Sequence, residues 1–376
     1  MIRPAPGLKI GFCAAFVAVY AFFFAVRTCV AQSELVIDLE ADLIIGEATG
    51  ESFGGGLRLA VNSDGWIYVG DWMNRHIRVF DRDGESRETI GRSGHGPGEF
   101  SAIHQVAVGR GDSLYVWDAN ARRLSVFAPE RGHPLAYTLT LADVDGLGRP
   151  GRFFVPSDPA AGFLFVFIQQ AEGTLSVHRV DREGRVSARP LLEGRHSDSA
   201  VRVAGQGTQV VRTSPLFGRE ALIGLTPQDE LYYGWSETID LTFYDLSGRR
   251  IGEYRAEAPA ISVTARDIEY ELEGASEMRR RAIRRSEHPK TKPALHTVIV
   301  DDEARIWLGR YTTDPTKSEW WVGPNTGNVA LSVFTLPARV ELKVVRGGYA
   351  YAVSTDDVGY PTIVRYTLTV KGTAIQ

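Results

Sequence analysis

The chain has 376 residues, 44% hydrophobic and 23% charged, the proportions of a folded protein rather than a disordered or coiled-coil one. Its 42 Lys+Arg against 46 Asp+Glu give −4, which excludes a broadly basic nucleic-acid binder. Many glycines (39) beside three methionines point to turns and β-structure rather than long helices.

The first segment reads as an address. Arg3 and Lys9 precede a run without charge from Ile10 to Val26, and Arg27, Thr28 and the triplet Cys29-Val30-Ala31 follow. Small residues at Cys29 and Ala31 fit a signal-peptidase site, so residues 1–31 are expected to be a signal peptide cleaved before Gln32. The rival is an uncleaved anchor, for which 17 residues stand at the short limit of a ~30 Å hydrocarbon span. Val26-Arg27-Thr28 before Cys29 is wrong for lipidation. Cleavage removes Arg3, Lys9 and Arg27 but no acid, taking the charge from −4 to −7. It also removes Cys13 and Cys29, so the mature chain has no thiol for a disulfide, thiolate catalysis or a Cys-based metal site. The expected location is extracytoplasmic, periplasmic or secreted, with no stable membrane insertion after cleavage.

Everything after residue 32 is governed by a repeat. DGWIYVGDWMNRHIRVFDRDG from Asp64 and GDSLYVWDANARRLSVFAPERG from Gly111 each show a polar turn, a strand centred on Tyr68 or Tyr115, and an Asp (Asp71, Asp118). An Arg follows four residues on (Arg75, Arg122), then an alternating strand ending in Val-Phe. Weaker copies centre on Phe165, Tyr232, Trp307 and Tyr351. The six centres are spaced 47, 50, 67, 75 and 44 residues apart, and another apolar strand begins about eleven residues before each, at Leu57, His104, Phe154, Ala221, His296 and Val340. Three or four strands in ~45 residues is the pattern of a β-propeller blade. The last unit lacks a fourth strand, and Leu35-Val36-Ile37-Asp38-Leu39 can supply it, pairing the chain's two ends. The expected fold is therefore all-β: a six-bladed propeller over 32–376, with a helical insertion in the fourth blade.

Two stretches interrupt the spacing. Residues 186–218 contain the runs Ala200 to Ala204 and Gln209 to Arg212 around Gly205-Gln206-Gly207. Residues 264–288 read as one helix, opened by Thr264 with Asp267 in a capping-box arrangement and stopped by Pro289 and Pro293. Its apolar stripe is Ile268, Leu272, Ala275, Met278 and Ala282.

The segments IGRSGHGPGEF (Ile90 to Phe100) and AVGRGDSLYVWDANARRLSVF (Ala107 to Phe127) resemble the NHL-repeat type of six-bladed β-propeller, in its exported bacterial branch. The close match covers two units; the other four follow by spacing. This chain has Ile103-His104 where the family often places Pro before the inner strand. The resemblance implies the fold and no activity, since propellers serve as scaffolds, binders, lyases and hydrolases alike.

Candidate chemistry is sparse. Asp71 with Arg75 and Asp118 with Arg122 recur at one offset, which favours a turn-organising role over a ligand site. The loop of Gly91, Gly94, Gly96 and Gly98 lacks the Lys-Ser/Thr end of a phosphate-binding loop and reads as the link between two blades. The run Arg279, Arg280, Arg281, Arg284 and Arg285 follows Glu269, Glu273 and Glu277 and reads as a solvated, salt-bridged face. His104 and His296 share one offset, but in opposed units, with Leu57, Phe154, Ala221 and Val340 at the other four. No metal site, catalytic set or cofactor is expected from them.

One ligand site is expected, at the channel mouth where the inner strands begin. There Arg152, Arg219 and Arg339 join His104 and His296 in offering positive charge around one opening, with Glu220 opposing it. The function expected is that of an exported binding or protein-interaction scaffold. Its partner would be a protein, a glycan or a small anionic ligand, and not nucleic acid. The alternative is a propeller hydrolase or lyase acting at the axial channel.

Overall fold

Apolar strands punctuated by D-x-x-G turns set the architecture. In a computed structural model describing residues 33–374, apart from 143, 199, 205–208, 214, 274, 325–331 and 356–358, six four-stranded antiparallel sheets form six blades. The inner strands are Arg58–Val61, Gln105–Val108, Arg149–Phe154, Ala221–Leu225, Thr297–Val300 and Val340–Arg346. Each pairs with the strand bearing the central aromatic, and Tyr68, Tyr115, Phe165, Tyr232, Trp307 and Tyr351 are all buried.

Burial is organised by seams rather than around one centre. Six apolar clusters lie one between each pair of neighbouring blades. Tyr115, Trp117, Phe153 and Phe165 fill the seam of blades 2 and 3, and Trp307, Trp320 and Leu342 that of blades 5 and 6. A blade alone would leave both faces wet; the ring covers them.

Blade 6 is completed by the N-terminal strand Ser33–Ile45, antiparallel to Pro361–Ala374 from Ser33↔Ala374 to Ile45↔Ile363. Beyond Thr367 these two strands run on as a ribbon, which lays Ile37 and Leu39 on the cluster of blades 5 and 6. The amide of Ile37 donates to Ser332 Oγ at 2.9 Å.

Both recurring aspartates organise turns. Asp71 accepts from the amides of Gly54, Met73 and Asn74. Asp118 accepts from those of Ser101, Ala102, Asn120 and Ala121. Each carboxylate thus ties a hairpin to the loop entering its blade, while Arg75 and Arg122 supply the left-handed residue of the hairpin (φ 57° and 49°). The glycine-rich loop links blades 1 and 2, with Arg92–Ser93 alongside Glu99–Phe100.

Three expectations need correction. Blade 3 keeps its outer strand, Leu192–Arg195, inside the stretch read as an insertion, so the extra hairpin (200–204 with 209–213) begins later. Phe154 ends its inner strand rather than starting it, because the loop 155–162 to the next strand is long; Arg149 holds the starting position. The insertion is two helices, α1 (Ala265–Leu272) and α2 (Glu277–Arg284), in the link from blade 4 to blade 5. Thr264 and Asp267 form the expected capping box on α1, but Glu273 turns extended and Ser276 caps α2 afresh. The break rephases the apolar stripe, so Met278 is 83% exposed and Ile283 is buried instead. Among the described residues no helix is long and apolar enough to cross a membrane. The expected signal peptide, residues 1–31, lies outside them.

Candidate functional site

At the end of the ring where the inner strands of blades 5 and 6 begin, the link carrying α1 and α2 walls a cavity of about 600 Å³. Four blades contribute: Arg152 from blade 3, Glu220 from blade 4, His296 and Tyr311 from blade 5, and Arg339 with Glu341 from blade 6. The insertion adds Tyr270, Glu271, Ala275 and Lys292.

The insertion is fixed by buried polar chemistry. Lys292, 5% exposed, donates to Asp267 and, at 2.8 Å, to the carbonyl of Thr312 in blade 5. Asp267 in turn accepts from the amide and hydroxyl of Thr264 at the start of α1. Burial opposes the Asp267 charge, yet Lys292 and Thr264 outweigh it and hold the carboxyl below its ordinary value.

Of the five residues expected at the mouth, the cavity brings together Arg152, His296 and Arg339, with Glu220 beside them. Arg219 does not line it. Its guanidinium donates to the carbonyl and hydroxyl of Thr291, at 2.9 and 2.8 Å, and so staples the insertion to blade 4. His104 is also structural: its Nδ1 accepts from the amide of Ala119 at 3.1 Å and its carbonyl from Arg58 Nε at 2.8 Å. Arg339 lies over the Tyr270 ring, 5.7 Å from its centroid.

The histidines do not supply the positive charge expected of them. His296 packs edge-on against Tyr311 and Trp320, with ring centroids 5.2 and 5.9 Å away, and its Nε2 is buried without a partner. Burial, with Lys343 adding to it against Glu341, lowers its pKa to about 4, so the ring is neutral near pH 7. Burial and the charge of Arg149 depress His104 as well. Six basic and five acidic side chains line the cavity, so its wall is mixed rather than cationic. Glu220 opens on the cavity and is exposed, yet the protein around it still costs it solvation, which raises its carboxyl, with Arg152 pulling the other way.

The contribution of Tyr311, Tyr270, Phe217 and Lys292 was hidden in the sequence. They come together only because the insertion folds back over the ring. Tyr311, four residues after Trp307 at the end of a strand, carries the one local signal. Among the described residues no group of three or more His, Cys, Asp or Glu could hold a metal ion.

At the opposite end of the channel a second cavity, about 670 Å³, is lined by all six inner strands, with Phe154, Leu225, Val300 and Val344 on its wall. Its rim is clipped together between blades. Asp229 accepts from the amide of Ser157, Asp302 from that of Gly347, and Arg346 donates to the carbonyl of Val61.

A family model described as a 6-bladed beta-propeller matches residues 53–143, the first two blades. No curated protein matches the sequence. Among solved structures, a Bacteroides fragilis protein described as exported aligns over 89% of this chain and 96% of its own, at 9% identity and a TM-score of 0.52. A member of the duf4221 family from Bacteroides vulgatus aligns over 91% and 100%, at 13% identity and a TM-score of 0.50. Virginiamycin B lyase from Staphylococcus aureus aligns over 84% and 82%, at 14% identity and a TM-score of 0.43. At these identities the likeness to the two Bacteroides proteins bears on the fold alone, and it agrees with the six blades seen here.

Proposed function

We propose that the chain is an exported propeller of the NHL-repeat type that binds a small ligand, or a protein group of similar size, in the cavity beneath α1 and α2. The observation that carries this reading is the cavity itself. A chain that needed only a closed ring has no use for a 600 Å³ recess built from four blades and a stapled insertion. Export rests on the sequence of residues 1–31, and N-terminal sequencing of protein from the producing cell tests it; a chain still starting at Met1 sinks it.

The binding reading is tested by thermal shift over a panel of amino acids, small acids and acidic oligosaccharides, against Ala275→Trp, which fills the cavity from the insertion side. At least one compound should raise the melting temperature of the wild type and leave the variant unmoved. A panel that moves neither, or both equally, overturns it.

A second reading, catalysis at the same mouth, is favoured by one feature. Glu220, with a raised carboxyl pKa, and a neutral His296 share one cavity, as acid and base groups do in active sites. Incubating each stabilising compound with the protein and looking for turnover separates the two.

A further inference from the structure

Most of the charges around the cavity are already satisfied by the protein. Lys292 pairs with Asp267, Arg279 with Glu271 and Lys343 with Glu341, and Arg339 lies over Tyr270. Glu273, Lys317, Arg152 and Glu220 are all exposed side chains of its wall. Of these four, Arg152 acts electrostatically on Glu220. Among the described residues neither Arg152 nor Glu220 has a hydrogen-bond or ion-pair partner for its charged group. Both face the same cavity, from neighbouring blades. They are close enough for the charge of Arg152 to act on Glu220, yet they do not pair.

Resting on the reading of this cavity as a ligand site, we propose that its ligand is a zwitterion of the α-amino-acid kind: a carboxylate for Arg152 and an adjacent ammonium for Glu220, on a small apolar frame. An anion without a cationic group would bring its charge against Glu220. A cation without an acidic group would meet Arg152. A ligand carrying both groups meets the two unpaired charges together. Tyr311 and Phe217 give the wall an aromatic surface, against which an ammonium is also attracted. The Nε2 of His296 is one buried polar atom in the wall that has no hydrogen-bond partner among the described residues.

The experiment uses the whole mature chain. The twenty standard amino acids are screened by thermal shift, and L-phenylalanine, its N-acetyl derivative and its amide are then compared by calorimetry. The zwitterion should bind at least tenfold more tightly than either derivative. Glu220→Gln should erase the preference over the N-acetyl compound and keep that over the amide; Arg152→Met should do the reverse. A derivative that binds the wild type as tightly as the free amino acid overturns the proposal, and so does a screen in which no amino acid binds. If a variant fails to fold, the derivative series on the wild type still decides. Binding of an acidic oligosaccharide, lost in Ala275→Trp, with no amino acid bound would sink the zwitterion and leave the cavity reading standing. Silence from every compound sinks both.

Discussion

The phenol of Tyr68 and the imidazole of His133 meet at 2.9 Å across the seam between blades 1 and 2. Tyr68 belongs to the second strand of blade 1, and His133 to the outer hairpin of blade 2, where it is 5% exposed with φ 38°. The other ring nitrogen lies 2.7 Å from Glu88 on the outer strand of blade 1. A Tyr-His-Glu chain therefore crosses a seam packed mainly by apolar side chains. Burial pushes the Tyr68 phenol up to about 12, so it stays a neutral donor or acceptor throughout the physiological range.

Removing the phenol strands a buried ring nitrogen. Tyr68→Phe should cost about 1–3 kcal/mol. Tyr115→Phe, at the equivalent place in blade 2, should cost less, since Tyr115 meets Phe163 edge-on rather than a histidine. Urea denaturation of the two variants checks the order; equal losses would mean that the chain contributes nothing.

Asp118 holds four backbone amides in one buried place. Burial works against its charge, but the donors from Ala121 and Ser101 prevail and keep the carboxyl below its usual value. Asp118→Ala leaves those amides unsatisfied and should cost roughly 3 kcal/mol or more. Asp118→Asn, which keeps an acceptor oxygen, should cost less. A loss under about 1 kcal/mol for the alanine variant would argue against this account of the turn.

Four hairpins use one device: an aspartate, at 81, 181, 245 or 301, accepts the amides two and four residues on. Three of them place glycine three residues after it, at φ 84–85°. The fourth has Ala304 there, at φ 61°. A methyl group in the left-handed region is strained by about 1 kcal/mol, partly offset by glycine's greater freedom when unfolded. Ala304→Gly should therefore raise stability by about 0.5 kcal/mol, measurable as a higher urea midpoint. A lower midpoint would show that the turn is not strained.

His296 gives stability a direction in pH. In the unfolded chain it gains a proton as pH falls through ~6.5, whereas in the folded chain it does so only at about 4. The unfolded state thus binds more protons between those values, and stability, full above ~6.5, declines as pH falls toward 4. His76, His104 and His196, also lowered by burial, add to the decline. His296→Phe should flatten the slope of urea midpoint against pH between 6.5 and 4.5. An unchanged slope would remove His296 from the account.

The ribbon offers a test of closure. Deleting Glu34 to Glu40 takes Ile37 and Leu39 off the cluster of blades 5 and 6 and uncovers the edge of Pro361–Ala374. The melting temperature should fall by several degrees; a change within one degree would contradict the role given to the ribbon.

The ring was legible because its signals are local. An aromatic in every blade, polar turns between strands and a short last unit are read along the chain, and the strands they implied are present. Where a fixed offset was assumed, a loop of unusual length moved the answer, as Arg149 took the place expected of Phe154. Site residues suffered more, since charge written in the sequence says nothing of who neutralises it. Arg219 was spent on Thr291, and burial silenced His296. Arg152 kept its place in the cavity. Tyr311 and Phe217 became wall residues only through a fold-back that no spacing records.

The pairing of Ser33–Ile45 with Pro361–Ala374 also sets an order of events. The strand made first must wait for the last one, so blade 6 is the last blade that can be completed. Until then the ring is incomplete at both seams of blade 6, with the apolar residues of blades 1 and 5 still seeking cover. A chain cut short before residue 361 would therefore leave apolar seam residues uncovered, and Pro361–Ala374 decides when the ring is sealed.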